Sequence, residues 1–388
     1  MKNTTDTGSA LYLYCITAVT VIGGLLFGYD TAVISGAEQG LESFFRSASD
    51  FEYTKGWHGI TASSALIGCV IGGAISGILA SRLGRRNSLR LAALLFFLSA
   101  LGSYYPEFLF FEYGKPSASL LIAFNLYRIL GGIGVGLASA VCPMYIAEVA
   151  PAHMRGRLVS CNQFAIIFGM LVVYFVNYLI RTSLPTAEAM ITIGWRRMFL
   201  SEAFPAGIFG LLLFLVPKTP RYLVLSGHPN EALTVLERIN GKSKAASILE
   251  EIKATAKEKS EKLLTYGIGV IIIGILLSVF QQAVGINVVL YYAPRIFENM
   301  GATGDVSMVQ TVVMGIVNIL FTVVAILTVD KFGRKPLLII GSVGMMVGMI
   351  ALSVLSFMDV IGFAALIFII IYTASFMMSW GPICWVLI

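Results

Sequence analysis

An all-α protein that crosses a membrane many times is the fold class this sequence predicts, and three observations predict it. Apolar runs of about 20 residues, the length a helix needs to cross hydrocarbon, recur along the chain. Hydrophobic residues make up 57% of it and charged residues 12%, where a soluble domain carries about a quarter charged residues. The mean hydropathy is +0.85, and runs of this length fit helices rather than the shorter alternating strands of a membrane barrel.

The 388-residue chain reads as ten spans. The first, 11–29, closes on Gly24-Leu25-Leu26-Phe27-Gly28-Tyr29-Asp30-Thr31, which sets a carboxylate at its far end. The second, 57–80, gives way to the basic loop Ser81-Arg82-Leu83-Gly84-Arg85-Arg86, and the third covers 88–106. The fourth, 118–142, holds Arg128 inside an apolar run, and spans 158–180 and 195–216 complete a first bundle, residues 1–217. Residues 218–263 break the rhythm, being rich in Lys and Glu and containing Pro220, Gly227 and Pro229. Their apolar residues Leu233, Leu236, Ile239, Ile248 and Ile252 recur at helical spacing, which predicts short amphipathic helices on a membrane face. A second bundle, 264–388, holds spans 265–292, 308–329, 336–357 and 361–388. Asp330-Lys331-Phe332-Gly333-Arg334-Lys335 follows the second of these and repeats the order of the loop at 81–86. Two membrane halves in parallel repeat, joined by a linker, are one of the transporter architectures. A symmetric second half needs two further spans, so the sequence is expected to stop short of them inside the apolar run Trp385-Val386-Leu387-Ile388.

Charge placement sets orientation. Most of the 27 Lys and Arg residues fall in segments on the N-terminal side, which predicts a cytoplasmic N-terminus in a cell inner membrane. The net charge of +6 does not point to nucleic acid, because the basic residues lie in loops between spans. The first apolar run lacks a cleavage-type exit and stays as a span. Cys15, Cys69, Cys142, Cys161 and Cys384 lie in apolar runs without ligand spacing, and His58, His153 and His228 are scattered, so no metal site is expected. Gly132-x-Gly134-x-Gly136 has no strand before it and reads as close helix packing rather than a nucleotide loop. No nucleophile–base constellation is present, so the reading is neither an enzyme nor a cofactor protein.

A charge in hydrocarbon is expensive and faces a bundle interior or a water-filled path with a partner. Asp30 and Arg128 are each other's candidates, either as a staple between helices or as a proton-handling pair. Gln163, Gln281, Gln282 and Asn287 offer both donors and acceptors, which suits a neutral polyhydroxyl ligand, and Trp385 offers a flat apolar face. The same amides could equally bond between helices. At about 100° per residue an unbroken helix would spread positions 281, 282, 287 and 291 over roughly 220°. A break at Gly285 is therefore expected to bring Asn287 and Tyr291 inward.

The motifs Gly23 to Asp30, Tyr127-Arg128 with its Gly-rich run, Pro143-Met144-Tyr145-Ile146-Ala147-Glu148 running to Arg155-Gly156-Arg157, Gln281-Gln282 with Gly285-Ile286-Asn287, Asp330 to Lys335, and Gly381-Pro382 with Trp385 resemble the sugar porter family of the major facilitator superfamily. The likeness is nearest to bacterial D-xylose–proton symporters, and facilitative glucose transporters are more distant. It implies import of a monosaccharide with protons by alternating access, in a lipid bilayer, by a monomer. A facilitative uniporter, a non-transporting sugar sensor and an inactive fragment are the alternatives. Asp30 resembles the carboxylate of proton-coupled members and Arg128 its partner. Gln163, Gln281, Gln282, Asn287 and Trp385 resemble sugar contacts, and Phe27, Tyr291, Asn318 and Gly381 resemble pocket lining. Arg85, Glu148, Arg155, Arg221, Asp330 and Arg334 resemble a cytoplasmic charge network that holds the inward side closed. Ser81, where the family carries Asp or Asn, and Lys218, where it carries Glu, depart from the pattern.

Overall fold

The computed structural model describes residues 8–108, 111–257, 268–358 and 363–387. In chain order the helices are α1 (Ala10–Arg46), α2 (Lys55–Arg82), α3 (Arg85–Tyr104), α4 (Ala118–Val149), α5 (Arg155–Ser183), the single turn α6 (Ala187–Ala189), a π-helical turn Met190–Gly194, α7 (Trp195–Ser201), α8 (Ala203–Leu212), α9 (Pro220–Leu225), α10 (Pro229–Asn240), α11 (Lys242–Lys257), α12 (Ile268–Ala283), α13 (Ile286–Tyr291), α14 (Ala293–Asn299), α15 (Gly304–Phe332), α16 (Arg334–Phe357), α17 (Phe363–Met378) and α18 (Trp380–Leu387). Among the described residues nine helical segments are long and apolar enough to cross a membrane.

Three elements differ from the sequence reading. The first helix does not stop near residue 29 but runs to Arg46. Hydropathy falls after Asp30, yet Ser35, Glu38 and Glu42 are buried and the helix continues through them. The sixth expected span is two helices, α7 and α8, separated at Glu202. Pro205 lies one turn beyond Ser201 and has no N–H to offer its carbonyl, which is the cause of such breaks. The seventh is broken at Gly285, as expected from the spread of its polar residues, with φ 81° and ψ 19°.

Contacts group the chain into two compact units. One comprises residues 1–30, 54–165 and 200–261. In it α2 packs on α4, and α3 packs on α4 and α8. Gly68 and Gly72 of α2 meet the backbone of Ile129 and Ile133, while Gly132 and Gly136 of α4 meet the backbone of Ala65 and Cys69. Any side chain at these positions would force the helices apart, so the glycine run is a packing device. Helices α9 to α11 lie in the stretch 218–263 where amphipathic helices are predicted, and pack on one another through Leu223, Ala232, Leu236, Ala245 and Leu249.

The other unit comprises residues 31–53, 166–199 and 262–388. Here α17 packs on α15 and α16, and α18 on α12, α15 and α16.

Candidate functional site

In the first unit the deepest charges are together. Asp30 on α1 and Arg128 on α4 are 1% and 2% exposed. The Arg128 Nη1 donates to Asp30 Oδ1 at 2.5 Å, and its Nη2 to the Asp30 backbone carbonyl at 3.3 Å. The expected pair is formed, and it is anchored to both side chain and main chain. Glu202, which the sequence reading did not single out, is fully buried beside it. The charges of both Asp30 and Arg128 act on it. It lies between α7 and α8, and Tyr29 ties α1 to the same place through a 2.7 Å hydrogen bond with Ser201 Oγ. Asp30 Oδ2 and both Glu202 carboxyl oxygens find no donor, although the Asp30 and Glu202 carboxyl groups lie within hydrogen-bond reach of each other. Two carboxylates against one guanidinium leave one negative charge unbalanced, in surroundings where imbalance is costly. The signal for Glu202 was present in the sequence as an acidic residue inside the apolar run 195–216.

Of the proposed ligand contacts, Phe27 and Gln163 belong to this unit, where Phe27 packs against its apolar core. The other described ones belong to the second unit. Gln282 Oε1 accepts from Asn287 Nδ2 at 2.8 Å, so the two amides are joined across the break at Gly285. The Tyr372 hydroxyl donates to the Val284 carbonyl at 2.6 Å, a group that the break takes out of the helical ladder. Tyr291 is buried, as the break was expected to make it. Gln281 serves the helix-to-helix alternative in this structure. Its Nε2 donates to the backbone carbonyls of Trp380 and Gly381 at 2.9 and 3.5 Å. Asn318 is buried on α15 and its Oδ1 has no hydrogen-bond partner. The side chains of Trp385 and Asp330 lie outside the described residues.

The expected charge network is formed only in part. Arg85 Nη2 bonds Glu148 Oε1 at 2.6 Å. Arg155, Arg221 and Arg334 are exposed and make no ion pair among the described residues. Neighbouring cations cap helix ends instead. Arg86 Nη1 donates to the Val216 carbonyl and Arg90 Nη2 to the Leu213 carbonyl, and Tyr145 donates to the Pro217 carbonyl at 2.8 Å.

The second unit holds a further charge cluster at the C-terminal end of α1. Arg295 on α14 bridges Glu38 at 3.2 Å and Glu42 at 2.5 Å, and Arg46 adds a 2.7 Å contact to Glu42. Gln39 donates to Glu298, which also accepts from Ser307, and Arg181 pairs with Asp305. Partial burial works against the Arg295 charge. The Glu42 hydrogen bond and the Glu38 field outweigh it and hold the guanidinium protonated above its ordinary range.

Comparison with known proteins adds the relatives. The family described as "Sugar (and other) transporter" matches residues 16–388. The D-xylose-proton symporter of Escherichia coli (strain K12) is 50% identical over 388 residues, covering 97% of this chain and 79% of that protein. A solved partially occluded inward open conformation of the xylose transporter XylE from E. coli aligns with a TM-score of 0.88 at 49% identity, over 97% of this chain and 87% of that one. The proton:xylose symporter XylE bound to 6-bromo-6-deoxy-D-glucose aligns with a TM-score of 0.86, also at 49% identity, over 97% and 82% of the two chains.

Proposed function

The chain belongs to the sugar transporter family of the major facilitator superfamily, and from that premise we propose that it imports a monosaccharide, D-xylose, together with protons by alternating access. It is not an enzyme; its substrates are the sugar and the proton. The observation that carries the coupled reading is the Asp30–Arg128–Glu202 cluster. With Arg128 balancing one carboxylate, a single proton balances the other. Two carboxyl groups facing each other form a hydrogen bond only when one of them is protonated. A staple between helices requires Asp30 and Arg128 alone and gives Glu202 no role. A change of access that alters the wetting of this cluster, or the distance from Asp30 to Arg128, then loads a proton on one side and releases it on the other.

We assign the sugar to Phe27 and Gln163 in residues 1–217 and to Gln281, Gln282, Asn287, Tyr291, Asn318, Gly381 and Trp385 in residues 264–388. The joined amides Gln282 and Asn287 present donors and acceptors at a helix break, where transporters place polar ligands. Gln281 exchanges its two backbone acceptors for sugar hydroxyls when the pocket fills. Arg85, Glu148, Arg155, Arg221, Asp330 and Arg334 form the cytoplasmic gate in the inward-closed state, with the N-terminus cytoplasmic in a cell inner membrane. The protein acts as a monomer.

Counterflow of labelled D-xylose and D-glucose in proteoliposomes, which requires no proton gradient, tests the substrate. Faster exchange of D-xylose than of D-glucose is expected. Exchange of D-glucose alone replaces the substrate, and no exchange of either sugar by inserted, folded protein refutes the transporter reading.

A further inference from the structure

Hydroxyls on these membrane helices commonly bond back to their own helix, as Ser64 does to the Thr61 carbonyl, Ser76 to Gly73 and Ser88 to Gly84. Ser99 on α3 does not. It is fully buried, and its Oγ has no partner. Across the interface lies Gly131 of α4. A side chain there would strike the Ser99 hydroxyl and would sit 3.4 Å from Asp30 Oδ1. The missing side chain therefore leaves the Ser99 hydroxyl and the Asp30 carboxylate on two sides of one gap. Asp30 Oδ1 is held by Arg128, and Oδ2 finds no donor. The unused Ser99 donor and the Arg128-bound Oδ1 of Asp30 border the same space, and a carboxylate oxygen accepts more than one hydrogen bond.

We propose that Ser99 is a positioning residue for proton coupling, its hydroxyl donating to Asp30 once Asp30 has released its proton. The inference rests on the reading of Asp30 as the coupling carboxylate. Four elements face Asp30 with groups that bear on its charge. Arg128 comes from α4, Glu202 from the break between α7 and α8, Cys69 from α2, and Ser99 from α3. The first three set the field at the site. Ser99 supplies a bond that is stronger to the ionised carboxylate than to the neutral acid, so it favours release of the proton.

The test is the external pH at which uphill D-xylose accumulation falls to half in proteoliposomes. Counterflow on the same vesicles normalises for folded protein. Ser99→Ala is expected to move this midpoint to higher pH by about one unit, the size of a hydrogen bond to a charged group. Ser99→Thr, which keeps the hydroxyl, is expected to restore the wild-type midpoint. Ser99→Cys, near-isosteric with a weaker donor, moves it in the same direction by less. Ser103→Ala, one turn along the same face and away from Gly131, leaves it in place. A wild-type midpoint for Ser99→Ala, or equal shifts for Ser99→Thr or Ser103→Ala, overturns the proposal. Undiminished accumulation by Asp30→Asn refutes the reading beneath it instead, whatever Ser99→Ala does.

Discussion

The chain sets two buried carboxylates against guanidinium groups twice, and the number of cations makes the two sets different devices. Asp30, Glu202 and Arg128 are 1%, 0% and 2% exposed. Glu38 and Glu42 meet an Arg295 that is 38% exposed, and Arg46 brings a second positive charge to Glu42. At the second cluster the carboxylates are also buried, but two guanidinium groups that reach water, Arg295 and Arg46, match the two negative charges. At the first a single guanidinium faces two carboxylates, and we propose that a proton supplies the balance. The same residue types thus read as a fastening in one place and as a coupling site in the other. Asp30, Glu38 and Glu42 all lie on α1.

The comparison breaks or sharpens under four substitutions. Arg128→Met leaves two buried carboxylates without a cation and is expected to cost about 3–5 kcal/mol of stability, seen as loss of folded protein or a strongly lowered melting temperature. A near-wild-type melting temperature would mean that the site is wetter than its burial implies. Glu202→Gln removes the unbalanced charge, and uphill accumulation is expected to fall at least about tenfold while the fold is kept, the consequence of losing about 1.4 kcal/mol of coupling. Unchanged accumulation would return the cluster to a staple. Asn287→Ala cuts the bond to Gln282 at the helix break and is expected to weaken half-saturation by sugar about tenfold, or about 1.4 kcal/mol. An unchanged affinity with a lower melting temperature would leave that amide pair as a brace for the break. Arg295→Gln takes a guanidinium from the buried Glu38 but leaves Arg46 on Glu42, and is expected to lower stability by about 1–3 kcal/mol, less than Arg128→Met. A loss at Arg295 as large as that of Arg128→Met would erase the contrast between the two clusters.

Much of the buried site was legible because burial of charge is rare enough to notice. Asp30 and Arg128 stand out in apolar runs, and the structure joins them. The break at Gly285 followed from geometry, since the polar residues around it could not share one face of an intact helix. Glu202 was equally visible as a charge in the apolar run 195–216, but its partner lies two spans away and nothing in local sequence names it. The end of α1 was misplaced because hydropathy ends at Asp30 while helicity does not. The residues beyond it are buried by ion pairs and hydrogen bonds with distant segments, such as Arg295 to Glu42 and Asn177 to the Val33 carbonyl. The charge network at the basic loops was the least legible part. Arg155, Arg221 and Arg334 are long cations on exposed turns, and nothing in local sequence fixes the partner of such a side chain in a given state.

The most direct test of the central claim compares uphill accumulation with exchange for Asp30→Asn in proteoliposomes under an imposed pH gradient. If the buried cluster carries the coupling proton, the variant exchanges labelled D-xylose across the membrane but no longer concentrates it, and sugar no longer drives proton uptake. Concentration of D-xylose by Asp30→Asn to the wild-type level would show that the proton travels elsewhere and that the Asp30–Arg128–Glu202 cluster is only structural.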